Sequence, residues 1–350
     1  MQTELFDYDL PESAIAVRPL PERDAARLLV LDGGNIEHAR VADWADRVPE
    51  GALVVVNDTR VRRARAFARR AETGGGVELL FLEALGPLEE APAERWRALA
   101  RANRPIKVGA RLTAAELDVE VLAIGEGGVL EVRALASGGV EAWLERHGHV
   151  PLPPYIRRDD ELADRERYQT VFSRRTSSAA APTAGLHLTA QALARLDARG
   201  IERATLTLDI GLGTFRPVTA DDLDRHPMHS ETFSVTEELA RRIASARVRR
   251  APVIAVGTTV VRALESAADP ERPGEVRAVN GETRLLIQPG YRFRVVDALF
   301  TNFHQPKSTL LALVAAFVGR DAVLAAYRVA LEHGYRFLSY GDAMWLPRRA

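Results

Sequence analysis

A buried helix that starts directly after a cluster of polar side chains is the strongest chemical feature of this sequence. Residues 301–309 supply an amide, an imidazole and an ammonium group, from Asn302, His304 and Lys307. Apolar helix formers follow as far as position 318, and either Ser308 or Thr309 is placed to cap the helix. The free N–H groups and positive dipole at such a helix start suit an anionic ligand group.

Lys307 has a second claim to a functional role. The chain contains only two lysines, Lys107 and Lys307, and arginine supplies the remaining positive charge. A lysine kept among so many arginines indicates a site that needs a compact ammonium, or one able to lose its proton, which arginine cannot do. We therefore favour function over chance survival at this position, and we expect arginine there to lower turnover sharply.

Composition limits the classes of protein to consider. The 350 residues are 47% apolar and 27% charged, as in globular proteins with one large or two smaller domains. Without cysteine, the chain has no disulfide, thiolate nucleophile or iron–sulfur ligand. The first residues lack a signal peptide's basic and apolar regions, and the apolar run after position 309 is too short to span a bilayer. We expect a cytoplasmic protein with no membrane partner.

The order of predicted elements indicates an α/β fold with an insertion. Strands and helices alternate through 1–65 and 150–350, which predicts a main α/β domain with a mostly parallel sheet. Between them, 66–149 contains short β-rich runs separated by glycine turns. That pattern predicts a small inserted antiparallel β-barrel domain.

Four segments share one predicted design, in which a strand leads through a polar loop into a helix. They lie around Asn57, Thr183, Gly257 and Asn302. The carboxyl ends of parallel strands meet at one edge of a sheet, and ligand crevices form there. We therefore expect these four loops to lie close together.

Two common kinds of site are disfavoured. Gly211 and Gly213 give only a G-x-G, without the rest of a dinucleotide fingerprint. His226 and His229 have a spacing that could ligate a metal, but Pro227 argues against a helix there, and no third ligand follows at a standard interval. We expect no metal site. His229 could instead act as a base beside Glu231.

A dense basic run begins at the predicted entry to the β domain and comprises Arg60, Arg62, Arg63, Arg65, Arg69 and Arg70. Such runs are as often solvated faces as functional surfaces. If they share one side with the crevice, they form an electrostatic footprint for a nucleic-acid backbone.

Taken together, the motifs resemble one family. They are NDTRV (57–61), YQTV (168–171), APTAGLH (181–187), GLGTFRPV (211–218), MHSE (228–231), GTT (257–259), TNFH (301–304), PKSTL (306–310) and SYGDAM (339–344). The set closely resembles the S-adenosylmethionine:tRNA ribosyltransferase-isomerases of queuosine biosynthesis, nearly from end to end. Members of that family combine an α/β domain with an inserted β-barrel.

The resemblance implies an activity. The ribosyl part of S-adenosylmethionine is transferred and rearranged onto 7-aminomethyl-7-deazaguanine at the wobble position of tRNAs with GUN anticodons. Epoxyqueuosine forms, and adenine and methionine leave. S-adenosylmethionine is the only co-substrate, no metal or redox cofactor is needed, and we expect a monomer.

The resemblance also suggests roles for residues. Proton-transfer candidates are His187, His229 and Asp342, while Lys307 binds a carboxylate or phosphate or steadies an oxyanion. Residues expected to hold S-adenosylmethionine are Asn57, Asp58, Thr59, Arg60, Thr183, Gly185, Gly257, Thr258, Thr259, Asn302 and His304. Residues expected to bind the tRNA substrate are Tyr168, Gln169, Gly213, Thr214, Phe215, Glu231, Arg62 and Arg63.

Two alternatives remain open at this point. A non-catalytic RNA-binding protein would bind tRNA without releasing adenine from S-adenosylmethionine. Another nucleotide-dependent transferase on a doubly wound sheet would act on a small molecule and turn over without RNA.

Overall fold

The computed structural model describes residues 1–88, 92–211 and 218–347. Contacts divide the chain into two compact units. The larger comprises Met1–Arg60, Pro153–Asp159 and Glu166–Ala350, and the smaller comprises Val61–Leu152 with Asp160–Arg165. The division expected from the sequence placed the inserted domain at 66–149.

The described strands, in chain order, are β1 (Arg27–Asp32), β2 (Asn35–Arg40), β3 (Leu53–Asn57), β4 (Thr59–Val61), β5 (Arg65–Arg70), β6 (Gly76–Pro87), β7 (Glu94–Ala102), β8 (Arg111–Ala114), β9 (Leu117–Ile124), β10 (Leu130–Ala136), β11 (Arg175–Ser178), β12 (Glu202–Leu208), β13 (Glu231–Val235), β14 (Val253–Val256), β15 (Val279–Thr283), β16 (Ala298–Asn302) and β17 (Ala343–Pro347). The described α-helices are α1 (Trp44–Arg47), α2 (Val140–His147), α3 (Asp164–Arg167), α4 (Ala190–Ala198), α5 (Glu237–Val248), α6 (Thr258–Ser266), α7 (Thr309–Val318) and α8 (Arg320–Glu332).

Within the described residues, the larger unit is built on a nine-stranded sheet in the order β15-β13-β12-β3-β14-β16-β17-β1-β2. The neighbours β12–β3, β3–β14 and β14–β16 pair in parallel, as do β17 and β1. The remaining neighbours pair antiparallel. The predicted fold class is confirmed, and its parallel part is the centre of a mixed sheet.

The central strands are buried because helices cover both faces of the sheet. Every residue of β3, β14 and β16 is buried. Along β3, Leu53 and Val55 belong to one apolar core, while Val54 and Val56 belong to a second. Successive side chains point to opposite faces, so strands covered on both sides need a continuous apolar run. This continuous apolar run is the feature by which such strands can be predicted from the sequence.

α7 starts at a cap that the sequence predicted, and two other helices start at caps of the same kind. Oγ of Ser308 accepts a hydrogen bond from the N–H of Leu311 at the start of α7, and Thr189 and Thr236 cap α4 and α5 in the same way. α7 is buried over most of its surface, as predicted. Within the described ranges no single helix is long and apolar enough to cross a bilayer, although α7 and α8 together reach that length across a bend of 111°.

The smaller unit contains a closed antiparallel barrel in the order β10-β7-β6-β5-β8-β9. Its interior is apolar, with Phe81 and Trp96 among the largest side chains, and α2 adds Trp143 and Leu144 to the same core. Closure removes the exposed strand edges that a small open sheet would present. The predicted antiparallel barrel is confirmed.

The expected strand–loop–helix design holds for two of its four segments. Gly257 links β14 to α6, and Asn302 ends β16 ahead of α7. Asn57 ends β3, but the chain continues into β4 rather than a helix. Thr183 begins a 3-10 helix, Thr183–His187, after β11, which pairs with β4 outside the nine-stranded sheet. The prediction was therefore wrong for Asn57, whereas at Thr183 a strand and a helix flank the loop but the strand lies outside the nine-stranded sheet and the helix is a 3-10 helix.

Candidate active site at the carboxyl edge of the central strands

A groove lies at the carboxyl ends of the central strands of the larger unit. It encloses about 400 Å³, its open mouth included, and is lined by Ala181, Pro182, Thr183, Ala184, Ile210, Gly257, Thr258, Thr259, Thr301, Asn302, His304 and Leu310. An adjoining hollow shares Thr183, Asn302, His304 and Leu310 with the groove and continues to Tyr155 and Ser339.

The groove combines apolar walls with neutral polar groups. Among the described residues, none of its lining side chains is an acid, a lysine or an arginine. Its one ionisable group, His304, is buried, and burial lowers the pKa of its imidazole to about 3. The described lining of the groove therefore carries no charge at neutral pH.

Asn302 connects the groove to His187 by a chain of hydrogen bonds. Its Nδ2 lies 3.0 Å from Nε2 of His187 and donates to the carbonyl of Leu338 at 3.1 Å. Its Oδ1 accepts from the hydroxyl of Thr183 at 3.2 Å. Because a carbonyl can only accept, the atom facing Leu338 must be the amide nitrogen, which then also donates to His187. Nε2 of His187 is therefore an acceptor, and the proton of the neutral ring is on Nδ1.

His187 is held in its neutral form. Its side chain is buried, and burial together with the charges of Arg23 and Arg336 lowers the pKa of the imidazole to about 4. Neutral imidazole keeps the lone pair that a general base requires. His187 is therefore neutral at neutral pH, and its one lone pair, on Nε2, accepts the hydrogen bond from Asn302.

His304 is fixed through its backbone as well as its ring. The hydroxyl of Tyr327 accepts from its N–H at 2.9 Å, and the hydroxyl of Tyr8 donates to its carbonyl. Its Nε2 lies 3.0 Å from Oγ1 of Thr301. Burial raises the pKa of both tyrosines well above the usual range, so both hydroxyls stay protonated. These contacts hold one side of the groove rigid.

Thr259 presents a polar atom that lacks a partner. Its Oγ1 is buried in the groove wall and forms no hydrogen bond with any described residue. It lies in the first turn of α6, which follows Gly257 at a φ of +96°. A Cβ at Gly257 would meet that of Ala184 at 3.5 Å and would be strained at this φ. A buried hydroxyl without a partner is destabilising, and a ligand atom in the groove that accepts from it would remove this cost.

A second pocket, which we call the Arg23–Arg167 pocket, lies beside the groove. It encloses about 290 Å³, its open mouth included, and is lined by Pro19, Leu20, Arg23, Ala26, Arg167, Leu186, His187, Ser339, Tyr340 and Gly341. Ser339 also lines the hollow that adjoins the groove. Sequence reasoning missed Arg23 and Arg167, because nothing distinguishes these two guanidinium groups among so many arginines.

The predicted ligand loop at Asn57, Asp58 and Thr59 instead braces two strands. The side-chain amide of Asn57 donates to the carbonyl of Leu208 at 2.9 Å and accepts from its N–H at 3.0 Å. Oδ1 of Asp58 accepts from Thr207 at 2.7 Å, and Oγ1 of Thr59 donates to Asp209 at 3.2 Å. These polar atoms join β3 to β12 and are not in the groove wall.

Lys307 is also used differently from the prediction. Its Nζ lies 2.8 Å from Glu4 and 2.9 Å from Asp7, and these carboxylates raise the pKa of its ammonium. Its backbone N–H donates to the carbonyl of Phe6 at 2.9 Å. Lys307 thus ties the 301–309 loop to the N-terminal segment. The structure favours a positioning role over direct contact with a substrate.

Two further predicted residues are structural in this geometry. Asp342 is buried and accepts from the backbone N–H groups of Arg27 and Arg336, both at 2.8 Å. Glu231 is buried in an ion pair with Arg262. These contacts favour structural roles, while the predicted roles of Asp342 in proton transfer and Glu231 in substrate binding remain untested.

The remaining predictions for the larger unit fall outside the groove wall. His229 and Arg60 are exposed, and Gln169 is half-buried. Tyr168 is fully buried and packs edge-on against Tyr340. Gly185 is required by packing, since a Cβ there would lie 2.7 Å from the Phe172 ring. Gly213, Thr214 and Phe215 lie outside the described residues.

In the smaller unit, Arg62 and Arg63 have acceptors of their own. Arg62 pairs with Glu141 at 3.1 Å, donates to the carbonyl of Leu82 and lies over the Trp96 ring. Arg63 donates to the carbonyl of Glu145. The outward side of β5 instead exposes Phe67 and Arg69. The predicted role of Arg62 and Arg63 in RNA binding remains untested, and these contacts do not favour it.

Within the described residues, no group of three or more His, Asp or Glu side chains is arranged to hold a metal ion.

A family model, curated relatives and a solved structure all match this chain over nearly its whole length, and all belong to one protein family. A family model described as queuosine biosynthesis protein matches residues 3–346. The S-adenosylmethionine:tRNA ribosyltransferase-isomerase of Sorangium cellulosum is 57% identical over 98% of both chains. The enzyme of that name from Anaeromyxobacter dehalogenans is 50% identical over 100% of both. The crystal structure of S-adenosylmethionine tRNA ribosyltransferase from Thermotoga maritima is 32% identical, with a TM-score of 0.55 over 98% of this chain and 99% of that one.

Proposed function

Because this chain belongs to the queuosine biosynthesis protein family, we propose that it is an S-adenosylmethionine-dependent tRNA ribosyltransferase-isomerase. The ribosyl part of S-adenosylmethionine is transferred to 7-aminomethyl-7-deazaguanine at the wobble position of tRNAs with GUN anticodons. Epoxyqueuosine forms, and adenine and methionine are released. Relatives that carry this enzyme's name match the chain over its whole length, which is the observation that carries the proposal.

The groove is the proposed site of S-adenosylmethionine. Its apolar walls, among them Pro182, Ile210 and Leu310, suit the adenine ring. Because the groove is neutral, it places no cation against the positively charged sulfonium. The free hydroxyl of Thr259 supplies a hydrogen bond to the adenosyl part. Of the predicted ligand residues, Thr183, Gly257, Thr258, Thr259, Asn302 and His304 keep this role.

Proton transfer is assigned to His187. The reaction requires a base for the C5′ proton, which the adjacent sulfonium makes acidic, and a neutral aminomethyl group for attack. Among the three predicted candidates, His187 alone contacts a groove residue, at Asn302. Its low pKa keeps the ring neutral at neutral pH, and Nε2 takes the proton in place of the hydrogen bond from Asn302. The steps are proton transfers and displacements, and the proposal assigns no metal or redox cofactor to them.

The outward side of β5 is the proposed RNA contact of the smaller unit. Phe67 is 45% exposed, and the guanidinium of Arg65 lies 4.6 Å from its ring centroid. The exposed Arg69 follows on the same side of the strand. An aromatic ring beside guanidinium groups can stack an unpaired base and attract its backbone.

We propose that the protein acts as a monomer in the cytoplasm, where its tRNA substrate is found.

Adenine release tests the proposed function. The protein is mixed with S-adenosylmethionine and an anticodon stem-loop carrying 7-aminomethyl-7-deazaguanine, and free adenine is measured by chromatography. We expect adenine in proportion to modified RNA, and none with an unmodified guanine stem-loop. RNA binding without adenine would support a non-catalytic RNA-binding protein. Adenine release with a small acceptor and no RNA would support a different transferase.

A further inference from the structure

The Arg23–Arg167 pocket contains two guanidinium groups that have no carboxylate partner among the described residues. Arg23 donates to the carbonyls of Leu186 at 3.0 Å and Glu166 at 2.8 Å. Arg167 donates to the carbonyls of Pro21 at 2.7 Å and Leu20 at 2.6 Å, and its Nε is buried without an acceptor. Backbone carbonyls orient these cations but do not neutralise them.

The surrounding charges leave this region positive. Arg27 and Arg336 lie nearby and share the buried carboxylate of Asp342. Burial and the charge of Arg167 lower the pKa of Arg23. The exposed Glu166 has an opposite but weaker effect. Partly buried like charges without a counter-ion are unfavourable. The arrangement is stable in the folded protein because the carbonyls hold it, and it is suited to receive an anion.

The pocket adjoins the groove through two connections. His187 lines the pocket and contacts Asn302 of the groove, and Ser339 lines both the pocket and the adjoining hollow. Within the described part of the chain, the lining of the groove includes no cationic side chain. A ligand that fills the groove and carries an anionic end would therefore find positive groups without a carboxylate partner in the adjoining pocket, at Arg23 and Arg167.

We propose that the Arg23–Arg167 pocket binds a substrate oxyanion, a carboxylate or a phosphodiester, next to His187. The inference rests on the proposed function for its two sources, namely the methionyl carboxylate of S-adenosylmethionine and a phosphate of the anticodon loop. Guanidinium groups pair with both through charge-assisted hydrogen bonds. Bound there, the anion opposes the effect of Arg23 and Arg336 on His187 and makes its ring a stronger base.

The test compares three ligands on two arginine variants. Calorimetry measures the Kd of S-adenosylmethionine, decarboxylated S-adenosylmethionine and the modified stem-loop RNA with wild type, Arg23→Gln and Arg167→Gln. If the carboxylate is the occupant, both variants weaken S-adenosylmethionine about tenfold or more and leave its decarboxylated form unchanged. If a phosphate is the occupant, both variants weaken the RNA and lower its salt slope by about 1.

Arg199→Gln is the matched control. Arg199 also donates to backbone carbonyls, those of Ala45 and Val48, and lines neither pocket nor groove. It therefore reports the effect of losing such hydrogen bonds alone. Folded Arg23 and Arg167 variants that bind all three ligands within twofold of wild type would overturn the proposal.

A phosphate titration tests the anion site even if the proposed function is wrong. If wild type binds neither S-adenosylmethionine nor RNA, the proposed function fails, and inorganic phosphate becomes the probe. Nitrogen-15 resonances of His187 are then followed during a phosphate titration. A saturable displacement in wild type that Arg23→Gln abolishes would support the anion site, whereas unmoved resonances in wild type would refute it.

Discussion

The side-chain amide of Asn302 determines the tautomer of His187. With Nδ2 3.1 Å from the carbonyl of Leu338 and 3.0 Å from Nε2 of His187, the amide nitrogen donates to both. Oδ1, on the opposite side, accepts from Thr183. One residue at the end of β16 thus positions a buried base and forms part of the groove wall.

Replacing Asn302 should change which ring nitrogen of His187 carries the proton. In wild type at neutral pH we expect nitrogen-15 spectra with Nδ1 of His187 protonated and Nε2 unprotonated. Asn302→Ala removes the donor, so the ring should shift toward the Nε2–H form. His187→Gln identifies the resonances by their loss. Protonation of Nε2 in the wild-type protein would refute the deduced hydrogen-bond pattern.

Acid should destabilise the protein through its two buried histidines. His187 and His304 titrate near 6.5 when unfolded, but burial lowers their folded-state pKa to about 4 and about 3. The unfolded state therefore binds more protons below pH 6.5, and stability falls from there toward pH 4. Each histidine should cost about 2 kcal/mol of unfolding free energy at pH 5.

Urea unfolding between pH 7.5 and 4.5 measures this effect. His304→Gln should remove about half of the histidine-dependent slope, since one of the two linked groups is gone. His147→Gln, at an exposed position of the smaller unit, is the control and should leave the slope unchanged. A His304→Gln slope equal to that of wild type would contradict the assigned pKa.

Lys307 and its two carboxylates should act as one unit. If Lys307 positions the 301–309 loop, Lys307→Gln and the double change Glu4→Gln with Asp7→Asn should each lower kcat/KM by about fivefold. Combining all three should cause no further loss, because the same contact is removed. Lys307→Arg should retain most activity, since a guanidinium can also pair with both acids.

The sequence-based hypothesis for Lys307 gives the opposite pattern. An ammonium that binds substrate would be freed by the acid variants, which would then keep full activity, while Lys307→Arg would lose it. Steady-state kinetics on these four variants separates the two accounts.

Part of this site could be predicted because its signals are local. An apolar strand that runs into a capped helix revealed Gly257 and Asn302 from their immediate neighbours. The partners of Lys307 could not be predicted, since Glu4 and Asp7 lie at the other end of the chain. Asn57 was misassigned for a related reason. Its amide follows a strand as a site residue would, but the pairing of β3 with β12 directs it to Leu208.

The RNA contact should depend on exposed groups of β5. Arg69→Gln should reduce the slope of log K against log salt for the stem-loop by about 1. Phe67→Ala should weaken binding at every salt concentration without changing that slope.

Arg62→Gln and Arg63→Gln test the sequence-based assignment of RNA binding to these two residues. Because the carboxylate of Glu141 pairs with Arg62 and that of Glu145 lies 3.9 Å from Arg63, we expect slopes equal to wild type. A lower slope in these two alone would restore the sequence-based assignment.

The central claim is that the groove at the carboxyl edge holds S-adenosylmethionine, and Thr259→Val tests it most directly. Valine keeps the shape of threonine and removes a buried hydroxyl that has no described partner. We expect the unliganded variant to be as stable as wild type or more so. Its Kd for S-adenosylmethionine should nevertheless rise about tenfold.

Thr170→Val is the matched control, since its hydroxyl is also buried without a described partner but lies outside the groove wall. The measurement is the Kd of S-adenosylmethionine for both variants by calorimetry, with thermal unfolding of the same samples. The account predicts weaker binding in Thr259→Val alone, with no loss of stability. Wild-type affinity in a folded Thr259→Val protein would contradict it.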